Sequence, residues 1–119
     1  MKKGWKVAIL SFAAIITAVG VVLAAASFTG TWNTAWGPIK MTQTGNQVKG
    51  VYGGRFPGKL FGTVSGNRLE FQWIGDNGEK GRGVFVLVPD GNSFTGTWGS
   101  GESATNGGEW NGTRASEGK

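Results

Sequence analysis

From residue 28 onward, apolar and polar residues alternate with a period of two through most of the chain. Successive side chains of an extended strand point to opposite faces, so this alternation predicts half-buried antiparallel strands. Eight segments fit, at 28–33, 38–44, 47–53, 59–65, 67–74, 82–89, 93–98 and 109–114. One face collects Phe28, Gly30 and Trp32, Ile39 and Met41, Val48, Gly50 and Tyr52, Leu60, Gly62 and Val64. It continues with Leu69, Phe71, Trp73, Phe85, Leu87, Phe94, Gly96, Trp98, Trp110 and Gly112. The opposite face carries Thr29, Thr31, Lys40, Thr42, Lys49, Thr63, Arg68, Glu70, Gln72, Thr95 and Thr97. The first face is expected to be core and the second wet.

The pentapeptide FTGTW occurs at 28–32 and again at 94–98, and VKGVY and LFGTV share its spacing. In a small closed sheet, large side chains on one strand need small ones opposite. The repeat is therefore expected to be a packing device, with Gly50, Gly62 and Gly96 facing bulky neighbours. The connections fall into two kinds. Tight turns, TGNQ at 44–47, SGN at 65–67 and PDGN at 89–92, are rich in the residues that tolerate positive φ. Longer loops span 34–37, 54–58, 75–81 and 99–108. In a meander, alternate turns fall at opposite ends, so one end should be closed by minimal turns and the other ringed by the long loops. The predicted fold is all-β, an eight-stranded antiparallel up-and-down meander barrel, with two packed four-stranded sheets as the runner-up.

The first 26 residues break this pattern. Three lysines precede an apolar run and an Ala-x-Ala arrangement at Ala24 and Ala26, which predicts a secretory signal peptide helix cleaved after Ala26. The competing reading is an uncleaved anchor, because 7–26 is just long enough to span a bilayer. The organisation expected is thus a signal segment at 1–26 and one barrel domain at 27–119, in a secreted or periplasmic protein. Charge then changes meaning. Beyond residue 26, nine basic residues face seven acids, and the basic ones are scattered singly along the sequence, which gives no support to nucleic-acid binding. A membrane is expected to be met only through the first segment, should it stay attached. With no cysteine, stability must come from packing and backbone pairing.

Chemistry is sparse. Without His or Cys the common nucleophile–base pairs are missing, and the acids are spread over separate turns and strands. No enzyme activity, no cofactor and no metal site are expected; DNGEKG at 76–81 has too few ligands for a calcium loop and reads as a solvated hairpin loop. Trp36, Arg55 and Phe56 fall in loops at the open end, where they either cap the barrel or help to hold a ligand. Tyr52, Trp73 and Trp98 end strands running to that rim, with Asp76 and Lys80 in the loops above. The expected ligand-binding set is Trp36, Tyr52, Arg55, Phe56, Trp73 and Trp98, for a flat or ring-shaped small molecule or sugar. The alternative is a module that docks another extracellular macromolecule, with a filled core. Phe61 runs against the core register, which marks either a subunit contact, in a possible oligomer, or a bulge.

GTW opening the first strand, followed by a Gly-containing turn, resembles the start of an avidin-type (calycin) barrel and, more loosely, of lipocalins. VKGVY is similar to the third-strand motif of avidins, which implies for Tyr52 the place of a tyrosine that holds the biotin ureido oxygen. EFQW and the second FTGTW are similar to segments whose tryptophans line the biotin pocket, which implies that role for Trp73 and Trp98. At the places of the polar ureido ligands stand Thr34, Pro38 and Gly54, and no eighth-strand aspartate is visible. The resemblance implies the barrel and, at those positions, poor binding of biotin.

Overall fold

The structure, a computed structural model, describes residues 27–115. The expected signal segment at 1–26 lies outside the described residues, as do the last four. The described chain is all β: β1 (Gly30–Thr34), β2 (Ile39–Thr44), β3 (Gln47–Tyr52), β4 (Gly58–Ser65), β5 (Arg68–Gly75), β6 (Lys80–Leu87), β7 (Ser93–Ser100), β8 (Gly108–Glu109) and β9 (Gly112–Arg114). Each of β1 to β7 pairs antiparallel with the next, and β9 pairs with both β7 and β1, closing the sheet into an up-and-down barrel. The barrel has eight strands, because β8 and β9 are two pieces of the last one. Both keep a single register against β7, from Trp98 opposite Gly108 to Ser93 opposite Thr113. Between them the Gly96 amide donates to the Asn111 side chain instead of a backbone carbonyl, at 3.0 Å. The unbroken eighth strand expected at 109–114 is interrupted there.

The inside–outside phase follows the alternation. Phe28, Trp32, Ile39, Met41, Val48, Tyr52, Leu60, Leu69, Phe71, Trp73, Phe85, Leu87, Phe94 and Trp110 form one buried cluster, and Val64 and Trp98 pack against it half-buried. Trp98 is therefore less enclosed than its place in the pattern predicts. The small residues do oppose large ones. A Cβ on Gly50 would lie 2.9 Å from Met41, one on Gly62 2.8 Å from Phe71, and one on Gly96 2.7 Å from Phe85. Such separations are too close for real side chains, so the aromatic interior needs these glycines.

Boundaries shift at several places. The first strand begins at Gly30 rather than at Phe28, because Gly30 adopts φ 137° and turns the preceding residues across the barrel end. The fifth strand reaches Gly75 and the sixth begins at Lys80, so the loop between them is shorter than 75–81. Phe61 sits in an uninterrupted ladder, opposite Lys49 and Gln72, so it points outward without a bulge.

A candidate binding cavity at the open end

The strands β3, β5 and β7 deliver Tyr52, Trp73 and Trp98 to the same end of the barrel, where the longer loops gather. There the interior widens into a cavity of about 610 Å³. Its lining includes Trp36, Tyr52, Arg55, Phe56, Trp73 and Trp98, the whole set singled out from the sequence. Asp76 also lines it. Lys80 does not; it stands on the outer wall, opposite Ile74 in the β5–β6 ladder. Sequence reasoning missed Trp110, Glu79, Asn77, Pro57 and Gly75, which complete the wall. The alternation marks Trp110 as a core residue, but not as one that reaches the cavity wall.

The aromatic walls are mutually braced. Trp36 packs edge-on to Trp98, with ring centroids 5.7 Å apart, and Trp98 meets Trp73 at 5.9 Å. Tyr52 and Trp110 cross at 5.3 Å and nearly perpendicular, a geometry that suits the ring quadrupoles. The indole N–H groups are mostly spoken for: Trp73 donates to the Gly99 carbonyl at 3.0 Å, Trp110 to the Thr34 hydroxyl at 3.2 Å, and Trp36 to the Glu109 carbonyl at 3.3 Å. Trp98 is the exception. Its Nε1 is buried without a hydrogen-bond partner, a state that costs desolvation energy with no return.

Trp36 and Phe56 form the rim. They are 41% and 59% exposed, and their rings lie 6.3 Å apart. Trp36 thus covers part of Trp98 while leaving the mouth open. The β1–β2 loop holds it through its backbone amide, which donates to Thr34 Oγ1 at 3.0 Å, while that hydroxyl donates to the Gly37 carbonyl at 2.6 Å. The β5–β6 loop is tied to the β3–β4 loop by the Asp76 amide, which donates to the Pro57 carbonyl at 2.9 Å.

The electrostatics of the cavity are simple. Arg55 brings one positive charge, and Asp76 and Glu79 bring two negative ones. Burial pushes the Tyr52 hydroxyl from its ordinary value near 10 up to about 12, with a smaller contribution from the Asp76 charge. At neutral pH that group is a protonated hydroxyl, able to donate a hydrogen bond and unsuited to act as a base. Among the described residues, no three acidic side chains converge as a metal site. The arrangement can stack and enclose a ring and offer it a few polar contacts. No protein-family model, no curated protein and no solved structure matches this chain.

Proposed function

We infer that this protein is a non-enzymatic, secreted or periplasmic barrel that binds a flat or ring-shaped small molecule at its open end. The observation that carries the reading is the 610 Å³ cavity walled by Trp36, Tyr52, Phe56, Trp73, Trp98 and Trp110. Pockets of this size, mostly aromatic with a few convergent polar groups, are the usual form of small-molecule sites. The same volume favours ligand binding over a docking module with a filled interior.

The barrel is compatible with the avidin-like resemblance, but biotin is not the ligand we propose. At the ureido-binding places, Pro38 and Gly54 offer no side-chain donor. The Thr34 hydroxyl is already engaged by Gly37, the Trp36 amide and Trp110. A ligand's polar atoms buried against these positions would lose their hydration without replacement.

The test is a thermal-shift panel of the full chain with aromatic heterocycles, sugars, fatty acids, hydrophobic dyes and biotin. At least one ring compound should raise the unfolding temperature. Trp36→Ala combined with Phe56→Ala should abolish that rise while leaving the unliganded protein within a few degrees of the parent. If binding survives that pair and is lost instead on altering the 65–67 and 89–92 turns, the open-end site is wrong.

A further inference from the structure

Five of the basic residues dispersed in sequence come together in two neighbouring rows on the barrel wall. Across the outer wall, Lys40 stands opposite Val51, Val51 opposite Lys59, Lys59 opposite Ile74, and Ile74 opposite Lys80. This is one row over five of the eight strands, about 20 Å along the curved wall at the usual strand spacing. It alternates cation and aliphatic side chain, with Val51, Lys59 and Ile74 at its centre and Lys40 and Lys80 turned to its two flanks. The next row toward the closed end runs from Lys49 through Phe61 and Gln72 to Arg82. Val51, Phe61 and Ile74 are 59%, 44% and 44% exposed, which makes them the large apolar side chains left open on the strands. Among the described residues, Lys40, Lys49, Lys59 and Lys80 enter no ion pair; Arg82 is paired with Glu102 at 2.7 Å. Glu70, farther along the wall, is taken by Arg68.

We propose that this face, centred on β3 to β5, docks on an anionic phospholipid surface. Two occupants are disfavoured by the pattern itself. A second copy meeting this face symmetrically would set two faces of the same positive charge against each other, which is repulsive. A polyanion such as a nucleic acid would use the cations and leave Val51, Phe61 and Ile74 in water. A bilayer interface takes both kinds of side chain, with lysines at the headgroups and aliphatic and aromatic groups entering the acyl boundary. The rim residue Phe56 lies at the same end as the row through Val51, so docking would hold the cavity mouth close to the lipid. This contact is separate from any made by the N-terminal segment, and it does not depend on what fills the cavity.

The chain has no cysteine, so a single introduced one can be labelled cleanly. An environment-sensitive dye on Phe61→Cys would report the proposed face. The same dye on Thr95→Cys, on the outer side of β7, would report another wall while sharing the same N-terminus. Vesicles of phosphatidylcholine with phosphatidylglycerol should blue-shift the dye at 61 and leave it unchanged at 95, and pure phosphatidylcholine vesicles should do neither. Replacing Lys49 and Lys59 by Gln should weaken vesicle binding by about fivefold each, roughly 25-fold together. The thermal midpoint should stay unchanged, since both side chains are exposed. Any one of four results overturns the proposal: equal shifts at both positions, no shift at 61, a shift at 61 that grows with protein concentration alone, or soluble heparin competing as strongly as the vesicles bind.

Discussion

Two copies of FTGTW meet different fates in the barrel. Both lie on strands that run the same way, and both bury their phenylalanine. In the first copy Trp32 is fully enclosed, and its Nε1 donates to the Phe28 carbonyl at 2.9 Å. The Arg114 guanidinium sits 4.2 Å from the Trp32 ring centroid and donates to the carbonyls of Ser27, Thr29 and Gly91. In the second copy Trp98 is half-buried, its Nε1 has no partner, and its edge-on cover is the exposed Trp36. The same five residues thus give a sealed core in one copy and a cavity wall in the other. What differs is the neighbour: a cation anchored to backbone covers one tryptophan, and exposed loop aromatics border the other. A strong packing motif does not by itself decide whether its tryptophan is structural or available.

The largest test of that contrast is Trp32→Ala. It should cost about 3–5 kcal/mol, as a fully buried large-to-small change, read as a lower denaturant midpoint. A loss no greater than that of Trp98→Ala would erase the distinction between the copies. Arg114→Met keeps the length of the side chain but removes the charge and its hydrogen bonds to carbonyls. It should cost about 2–4 kcal/mol, and a neutral result would show that the seal is ornamental.

Tyr52 sharpens the open-end side through pH. It is the only tyrosine of the chain, so tyrosinate absorbance reads it directly. Its folded-state value of about 12 lies above the ordinary 10. The stability it contributes is therefore fully present below pH 10 and is lost as pH rises toward 12. A folded-state titration near 10 would mean that the hydroxyl is open to water. The smallest effect is expected for Trp98→Phe. Since the Trp98 N–H satisfies no acceptor, its removal should change stability by less than about 1 kcal/mol. A larger loss would show that the indole ring itself, packed between Trp36 and Trp73, carries stability at the open end.

Much of this was legible along the chain. Period-two alternation identifies the inward residues strand by strand, and the division into tight turns and long loops picks out the end where the cavity opens. What linear reading lacks is the lateral dimension. Lys40, Lys49, Lys59 and Lys80 look isolated until cross-strand register lines them up with Val51, Phe61 and Ile74. Arg114 looks like a lone terminal cation, because its partners are backbone carbonyls from 23 to 87 residues away. The need for glycine at position 30 is likewise lateral: it adopts a positive φ, and the Nη1 of Arg114 lies 2.6 Å from where a Cβ would stand. The half-burial of Trp98 follows from loop placement, about which alternation is silent.

The seam between β9 and β1 has a consequence for the order of folding. Every other strand pair joins neighbours along the chain, so their contacts can form early and close only short loops. The seam joins Gly112 to Thr34 and Arg114 to Trp32, and its closure entropy is that of nearly the whole barrel. Until it forms, β1 and β9 remain unpaired edges with aromatics beside them, open to strands of another molecule. Folding at high concentration should therefore lead to strand-exchanged oligomers, with the last few residues of the barrel deciding between exchange and closure.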